Sequence, residues 1–126
     1  MSATVLIVDD DEDNLTIVSS FLLRGGYEVR IARDGPTALA SVRQQRPDVV
    51  LLDVMMPGMD GMQVLDQLKL DPRTASIPVI MVTARTRDED VLAGYQSGAD
   101  YFITKPFTAR DILHAIGLVL GSQEPG

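Results

Sequence analysis

Four short apolar runs, none of them alternating with polar residues, set the tightest limit on how this chain folds. They are Val5-Leu6-Ile7-Val8, Val49-Val50-Leu51-Leu52, Val79-Ile80-Met81-Val82 and Tyr101-Phe102-Ile103. A weaker run spans Tyr27 to Ala32. Such runs, bounded by turn residues, fit strands buried on both faces, as in a parallel sheet. The run before Asp53 is the most informative. It ends on a carboxylate, and Pro57, Gly58 and Gly61 then mark a turn-rich segment. A strand ending at Asp53 puts that carboxylate on the rim of the sheet, where open α/β folds keep their functional crevices.

Between the runs the apolar residues change to helical spacing. Leu15, Val18, Phe21 and Leu22 give one inner face, and Gly25-Gly26 closes that helix. Asp34-Gly35-Pro36 starts a second helix, with Ala38, Leu39 and Val42 facing inward. Asp60 is an expected N-cap for a third, carrying Val64, Leu65 and Leu68. A polar helix is expected over Arg87 to Ser97, with Gly98 as its C-cap, and Thr108 is expected to cap a last one. Strand–helix alternation of this kind calls for a parallel sheet with right-handed crossovers and helices on both faces. The expected fold is a flavodoxin-like (βα)5 α/β domain with strand order 2-1-3-4-5.

Composition narrows the class. At 126 residues the chain makes one domain, with a core from Thr4 to Leu120 and a frayed tail over 121–126. No apolar stretch reaches the roughly 18 residues of a membrane span, and no secretory leader is seen, so a cytoplasmic protein is expected. The absence of cysteine excludes disulfides and thiolate metal sites. A net charge of −7 argues against direct nucleic-acid binding and is compatible with a divalent cation.

The expected topology brings distant polar groups to one rim. The carboxyl ends of the first, third, fourth and fifth strands carry Asp9 and Asp10, Asp53, Thr83, and Lys105. Three carboxylates held together repel one another, and a hard cation with oxygen ligands such as Mg²⁺ relieves this. Lys105 and Thr83 add a positive charge and a hydroxyl. A nucleophile, a metal and donors for phosphoryl oxygens are what phosphoryl transfer requires.

The motifs that carry these groups are Ile7-Val8-Asp9-Asp10, Leu52-Asp53-Val54-Met55-Met56-Pro57-Gly58-Met59-Asp60-Gly61, Val82-Thr83-Ala84, Gly98-Ala99-Asp100 and Lys105-Pro106-Phe107. With them the chain resembles the receiver domains of two-component response regulators, the family of the bacterial chemotaxis regulator. The resemblance runs from Thr4 to Leu120. It implies that Asp53 accepts a phosphoryl group from a histidine kinase or phosphotransfer protein. It implies that Asp9, Asp10, Asp53 and the backbone carbonyl of Met55 hold Mg²⁺, and that Thr83 and Lys105 bind phosphoryl oxygens. Phe102 stands where the family has a switch aromatic coupled to Thr83, and the Lys105–Pro106 peptide is expected to be cis. Signalling would then pass to a downstream effector or output domain, and the chain would be no turnover enzyme.

Two alternatives use the same residues. A Mg²⁺-dependent phosphohydrolase would form the same aspartyl phosphate, but such enzymes carry a general acid two residues after the nucleophile. Met55 stands there and transfers no proton. A receiver that works without phosphorylation would not need the full acid, Thr83 and Lys105 set. Two departures from the family pattern concern partners. Tyr101 replaces an expected aspartate, and the last helix lacks the arginines that many DNA-binding regulators use to dimerise. The face left by Tyr101, His114, Ala115, Gly117 and Leu118 is expected to suit a partner protein better than a charge-bridged dimer.

Overall fold

The computed structural model describes residues 2–54, 56, 58, 60–84, 96 and 98–121. Its strands are β1 (Thr4–Val8), β2 (Glu28–Ala32), β3 (Val49–Asp53), β4 (Val79–Thr83) and β5 (Tyr101–Thr104). Its helices are α1 (Glu12–Arg24), α2 (Gly35–Gln44), α3 (Gly61–Leu70) and α4 (Ala109–Gly121). The expected helix over Arg87 to Ser97 lies almost wholly outside the described residues. The strands form one parallel sheet in the order β2-β1-β3-β4-β5. This is the expected flavodoxin-like arrangement, with β1 beside β3.

In β1, β3 and β4 the unbroken apolar runs are explained by burial from both sides, whereas Tyr101 and Phe102 of β5 are half-buried. Leu6, Val8, Val50, Leu52, Val79 and Met81 point to the layer that contains α2 and α3. Val5, Ile7, Val49, Leu51, Ile80 and Val82 point to the layer that contains α1 and α4. Every residue of β3 and β4 is buried. Each apolar side chain among them contributes about 1.5–3 kcal/mol by leaving water, so the two central strands carry much of the fold. β2, on the edge, is half-exposed, and this is why its sequence alternates weakly.

The helices start where their caps stand. Asp11, Asp34 and Asp60 each accept from backbone N–H groups of the first turn. Asp60 also receives the Gln63 side chain on its own N–H, a reciprocal box that fixes the start of α3. Thr108 and Asp111 cap α4 in the same reciprocal way. One expectation fails here. Ala115 is fully buried rather than on the outer face, because Ile112, Ala115 and Ile116 are three and four apart and turn to the sheet together.

The amino end of the sheet, remote from Asp53, is tied by polar side chains. Lys69 Nζ donates to the carbonyls of Ala75 and Ile77, each at 3.0 Å, and lies 3.6 Å from Asp100. Asp100 in turn accepts from Val79 N–H at 2.8 Å. Gly98 takes a positive φ of 108° there, and a Cβ on it would stand 2.9 Å from Lys69 Cγ. At the same end, Ser2, Gly26, Gly117 and Gly121 line a surface hollow of about 470 Å³.

Candidate functional site

Asp9 and Asp53 end up side by side because β1 pairs directly with β3, in a register that sets Val8 against Leu52. The residue after Val8 and the residue after Leu52 are therefore neighbours at the carboxyl rim. Asp9 N–H donates to Ala32 O at 3.1 Å, which pins that backbone to the end of β2. Its side chain accepts from Asp11 N–H at 2.9 Å, so one carboxylate oxygen is already held. Ligand oxygens of Asp9, Asp10 and Asp53 all lie within 4.8 Å of one another. Asp9 and Asp53 are buried, whereas Asp10 is exposed. The cluster is thus walled on the protein side and open to solvent at Asp10.

β4 and β5 bring the other two groups. Asp53 pairs with Val82 in the β3–β4 register, so Thr83 stands one residue beyond it, 1% exposed. Lys105 N–H donates to Thr83 O at 2.9 Å, continuing the β4–β5 ladder past the last strand residue. This bond carries Lys105 to the rim, and its Nζ lies 3.5 Å from Asp53 Oδ1. Asp53 is 4% exposed and the Lys105 side chain 28%, so the ion pair is partly shielded from water. The Lys105–Pro106 peptide is cis, as expected. Phe102 is half-buried and packs against the core layer that contains α3. Met55, expected to offer its carbonyl, lies outside the described residues.

The donor set is oxygen only, with three carboxylates at one point and a route to solvent. That chemistry fits a small hard cation that keeps some of its waters, and among the described residues no nitrogen or sulfur donor belongs to the cluster. The site also contains features that sequence reasoning passed over. Gly61 N–H donates to Val54 O at 3.0 Å, and its Cα lies so close to β3 that a side chain there would strike the Asp53 carbonyl. Glu12, in the first turn of α1, is paired with Arg33 just past β2. Arg33 holds the Glu12 carboxyl below its ordinary value by hydrogen bonding, and Glu12 holds the guanidinium above its own. The Asp60-x-x-Gln63 spacing was readable as a capping signature, whereas the Glu12–Arg33 pairing, across 21 residues, was not.

Comparison with known proteins gives a single picture. Residues 5–117 match the family described as the response regulator receiver domain. The response regulator PleD of Caulobacter vibrioides is 51% identical over 106 residues, which are 84% of this chain and 23% of that protein. The sensory transduction protein RegX3 of Mycolicibacterium smegmatis is 43% identical over 117 residues, 93% of this chain and 50% of that protein. The chain therefore spans half or less of the length of these relatives. Among solved structures, the chemotaxis response regulator CheY4 of Vibrio cholerae superposes with a TM-score of 0.89 at 34% identity, covering 94% of this chain and 99% of that one.

Proposed function

The chain belongs to the response regulator receiver domain family, and on that premise we propose that it is a phosphoacceptor switch whose acceptor is Asp53. The observation that carries this reading is the partly shielded contact between Lys105 Nζ and Asp53 Oδ1 beside the Asp9–Asp10–Asp53 cluster. Asp53 is the nucleophile. One of its oxygens forms a bond to phosphorus while the phosphorus–nitrogen bond to a donor histidine breaks, and the donor nitrogen keeps the electron pair. Lys105 is already within reach of Asp53 and follows the transferred charge onto the phosphoryl oxygens. Thr83 offers its hydroxyl to the same oxygens from the end of β4. Asp9, Asp10 and Asp53, with the Met55 carbonyl, would hold Mg²⁺. When bound, that cation would offset negative charge gathered on the phosphoryl group.

Thr83 and Phe102 form the switch in this reading. Thr83 drawn toward a phosphoryl group changes the space open to Phe102 on the neighbouring strand, and the β5–α4 face changes with it. The donor is a sensor histidine kinase or a phosphotransfer protein, and the receiver of the signal is an effector protein or an attached output domain. Beyond its own phosphorylation and dephosphorylation the chain catalyses nothing. Intact mass after treatment with Mg²⁺ and acetyl phosphate tests the assignment. Wild type should gain about 80 mass units, one phosphoryl group, and Asp53→Asn none. An equal gain in both proteins rules Asp53 out.

A further inference from the structure

One corner of the molecule runs against its overall charge. The chain carries a net −7, yet the end of α2 and the loop between α3 and β4 bring Arg43, Arg46 and Arg73 to one place. Arg46 Nη1 donates to Arg73 O at 3.0 Å, and its Nη2 donates to Ser76 Oγ at 2.6 Å. Asp71, at the end of α3, accepts from Arg73 N–H at 2.9 Å, from Nε at 3.2 Å and from Nη2 at 3.0 Å. Hydrogen bonding from Arg73 holds the Asp71 carboxyl below its ordinary value, and the charge of Arg43 lowers it further, so Arg43 is near enough to be felt. All three arginines are exposed. Among the described residues, Arg43 and Arg46 have no carboxylate in salt-bridge contact. Asp48, close to Arg46 in the chain, is turned to Thr4 N–H at 2.6 Å. The one acid within α3 is Asp66, a helical turn before Leu70. Leu70 precedes Asp71 and is 80% exposed, more than any other large apolar residue described.

We propose that this corner is a docking site for an acidic segment of a partner polypeptide, with Arg43, Arg46 and Arg73 as its counter-charges and Leu70 as its apolar anchor. The charges complement such a segment because they are held without being cancelled. Arg46 is fixed by a carbonyl and a hydroxyl, both neutral, so its fork is set before binding and less ordering is lost when a carboxylate arrives. The loop that carries Arg73 is tied by its own bonds. Thr74 is 5% exposed, and its Oγ1 donates to Leu68 O at 2.6 Å. Arginine is enriched at protein interfaces, and a leucine left in water beside it gains by being covered. A nucleic-acid duplex or an anionic membrane presents a broad negative surface, which the rest of an acidic domain repels. A short segment meets the corner alone. Arg46 lies shortly before β3 and Ser76 shortly before β4, so the corner sits at the amino end of the sheet, opposite the rim that carries Asp53. The site is therefore separate from the phosphoacceptor cluster.

Amide NMR of the full chain tests the site, in a low-salt titration with a synthetic peptide whose runs of glutamate flank a single leucine. Shifts should gather on residues 43–46 and 70–76. Binding should weaken as salt is added, since screening acts on exposed charges. Arg43→Gln and Arg73→Gln should each weaken it about threefold, the scale of one exposed ion pair, and the two together about tenfold. Leu70→Ala should weaken it as well. Arg110→Gln removes the same charge at the start of α4, at the opposite end of the sheet, and should leave binding unchanged. These positions are all exposed, and the spectrum of each variant reports its fold directly. Arg43 makes no hydrogen bond among the described residues, so its variant stays informative even if Arg73→Gln disturbs the loop. A peptide with lysine in place of glutamate should not bind. Shifts scattered over the surface, equal binding of the lysine peptide, or a loss in Arg110→Gln as large as in Arg43→Gln overturns the proposal. So does a DNA duplex or a phosphatidylserine vesicle that binds, and is lost in the same variants, while the glutamate peptide does not bind.

Discussion

Gly61 shows how little room the rim leaves. A Cβ at this position would lie 2.4 Å from the Asp53 carbonyl oxygen and 2.7 Å from Val54 Cα. Both are backbone atoms of the segment that carries Asp53, so neither can step aside without moving that residue. Gly61→Ala should therefore destabilise the fold by about 1–3 kcal/mol, the usual cost of overfilling a packed place, and slow phosphorylation by acetyl phosphate. Urea unfolding beside a mass time course measures both, and a variant as stable as wild type would show that α3 can shift away freely. Asp34 gives a residue-scale prediction in pH. Hydrogen bonding from Thr37 holds its carboxyl below the ordinary 3.8. A group lowered in the folded state adds stability that is complete above its unfolded value and lost as pH falls through the folded one. Wild type should thus keep the Asp34 contribution at pH 5 and lose it only below pH 3.8. Asp34→Asn, which caps without titrating, should show a shallower fall in melting temperature over that acid range. Parallel acid profiles of the two proteins would contradict this.

At the scale of elements, α4 is poor in positive charge. Arg110 and Asp111 lie in its first turn, and no Arg or Lys follows from Ile112 to Gly126. Asp111 is moreover engaged, accepting from Thr108 N–H at 2.9 Å. What faces out is His114, Gly117 and Leu118, beside a half-buried Tyr101. Tyr101, Asp111 and His114 line a hollow of about 200 Å³ there. Sedimentation of the beryllofluoride-treated protein should show no salt-sensitive dimer; one that forms on activation would mean that other charges replace the missing arginines. The inner strands were legible because a strand buried on both faces leaves a short unbroken apolar run between turn residues. The rim residues were legible because a parallel sheet sends every strand's carboxyl end to one side, so Asp9, Asp53, Thr83 and Lys105 followed from strand ends and topology. Ala115 was misread because its small side chain carries no signal of its own, and only its spacing from Ile112 and Ile116 reveals it. The close approach of Gly61 and the Glu12–Arg33 pair were not legible. Each is made by groups from different elements, and their distances exist only once the layers are packed.

For the whole molecule, the cluster of Asp9, Asp10 and Asp53 is a cost that folding incurs. Their oxygens come within 4.8 Å only when β1 and β3 pair. A cation that binds there binds the folded chain and not the unfolded one, so it stabilises by mass action. The melting temperature should rise with Mg²⁺ in wild type and much less in Asp10→Ala. Without metal, Asp10→Ala should melt at or above wild type, since one repelling charge is gone. Equal Mg²⁺ responses in the two proteins would move the cation elsewhere. The hollow at the amino end of the sheet has a consequence of another kind. Ser2 and Gly121 both line it, so the two ends of the domain emerge at one place, on the side away from Asp53. Geometrically the domain is a cassette with both leads on its back panel. The old ends could be linked across the hollow while new ones are cut at a surface loop. Such a circular permutant would keep all five strands in their places.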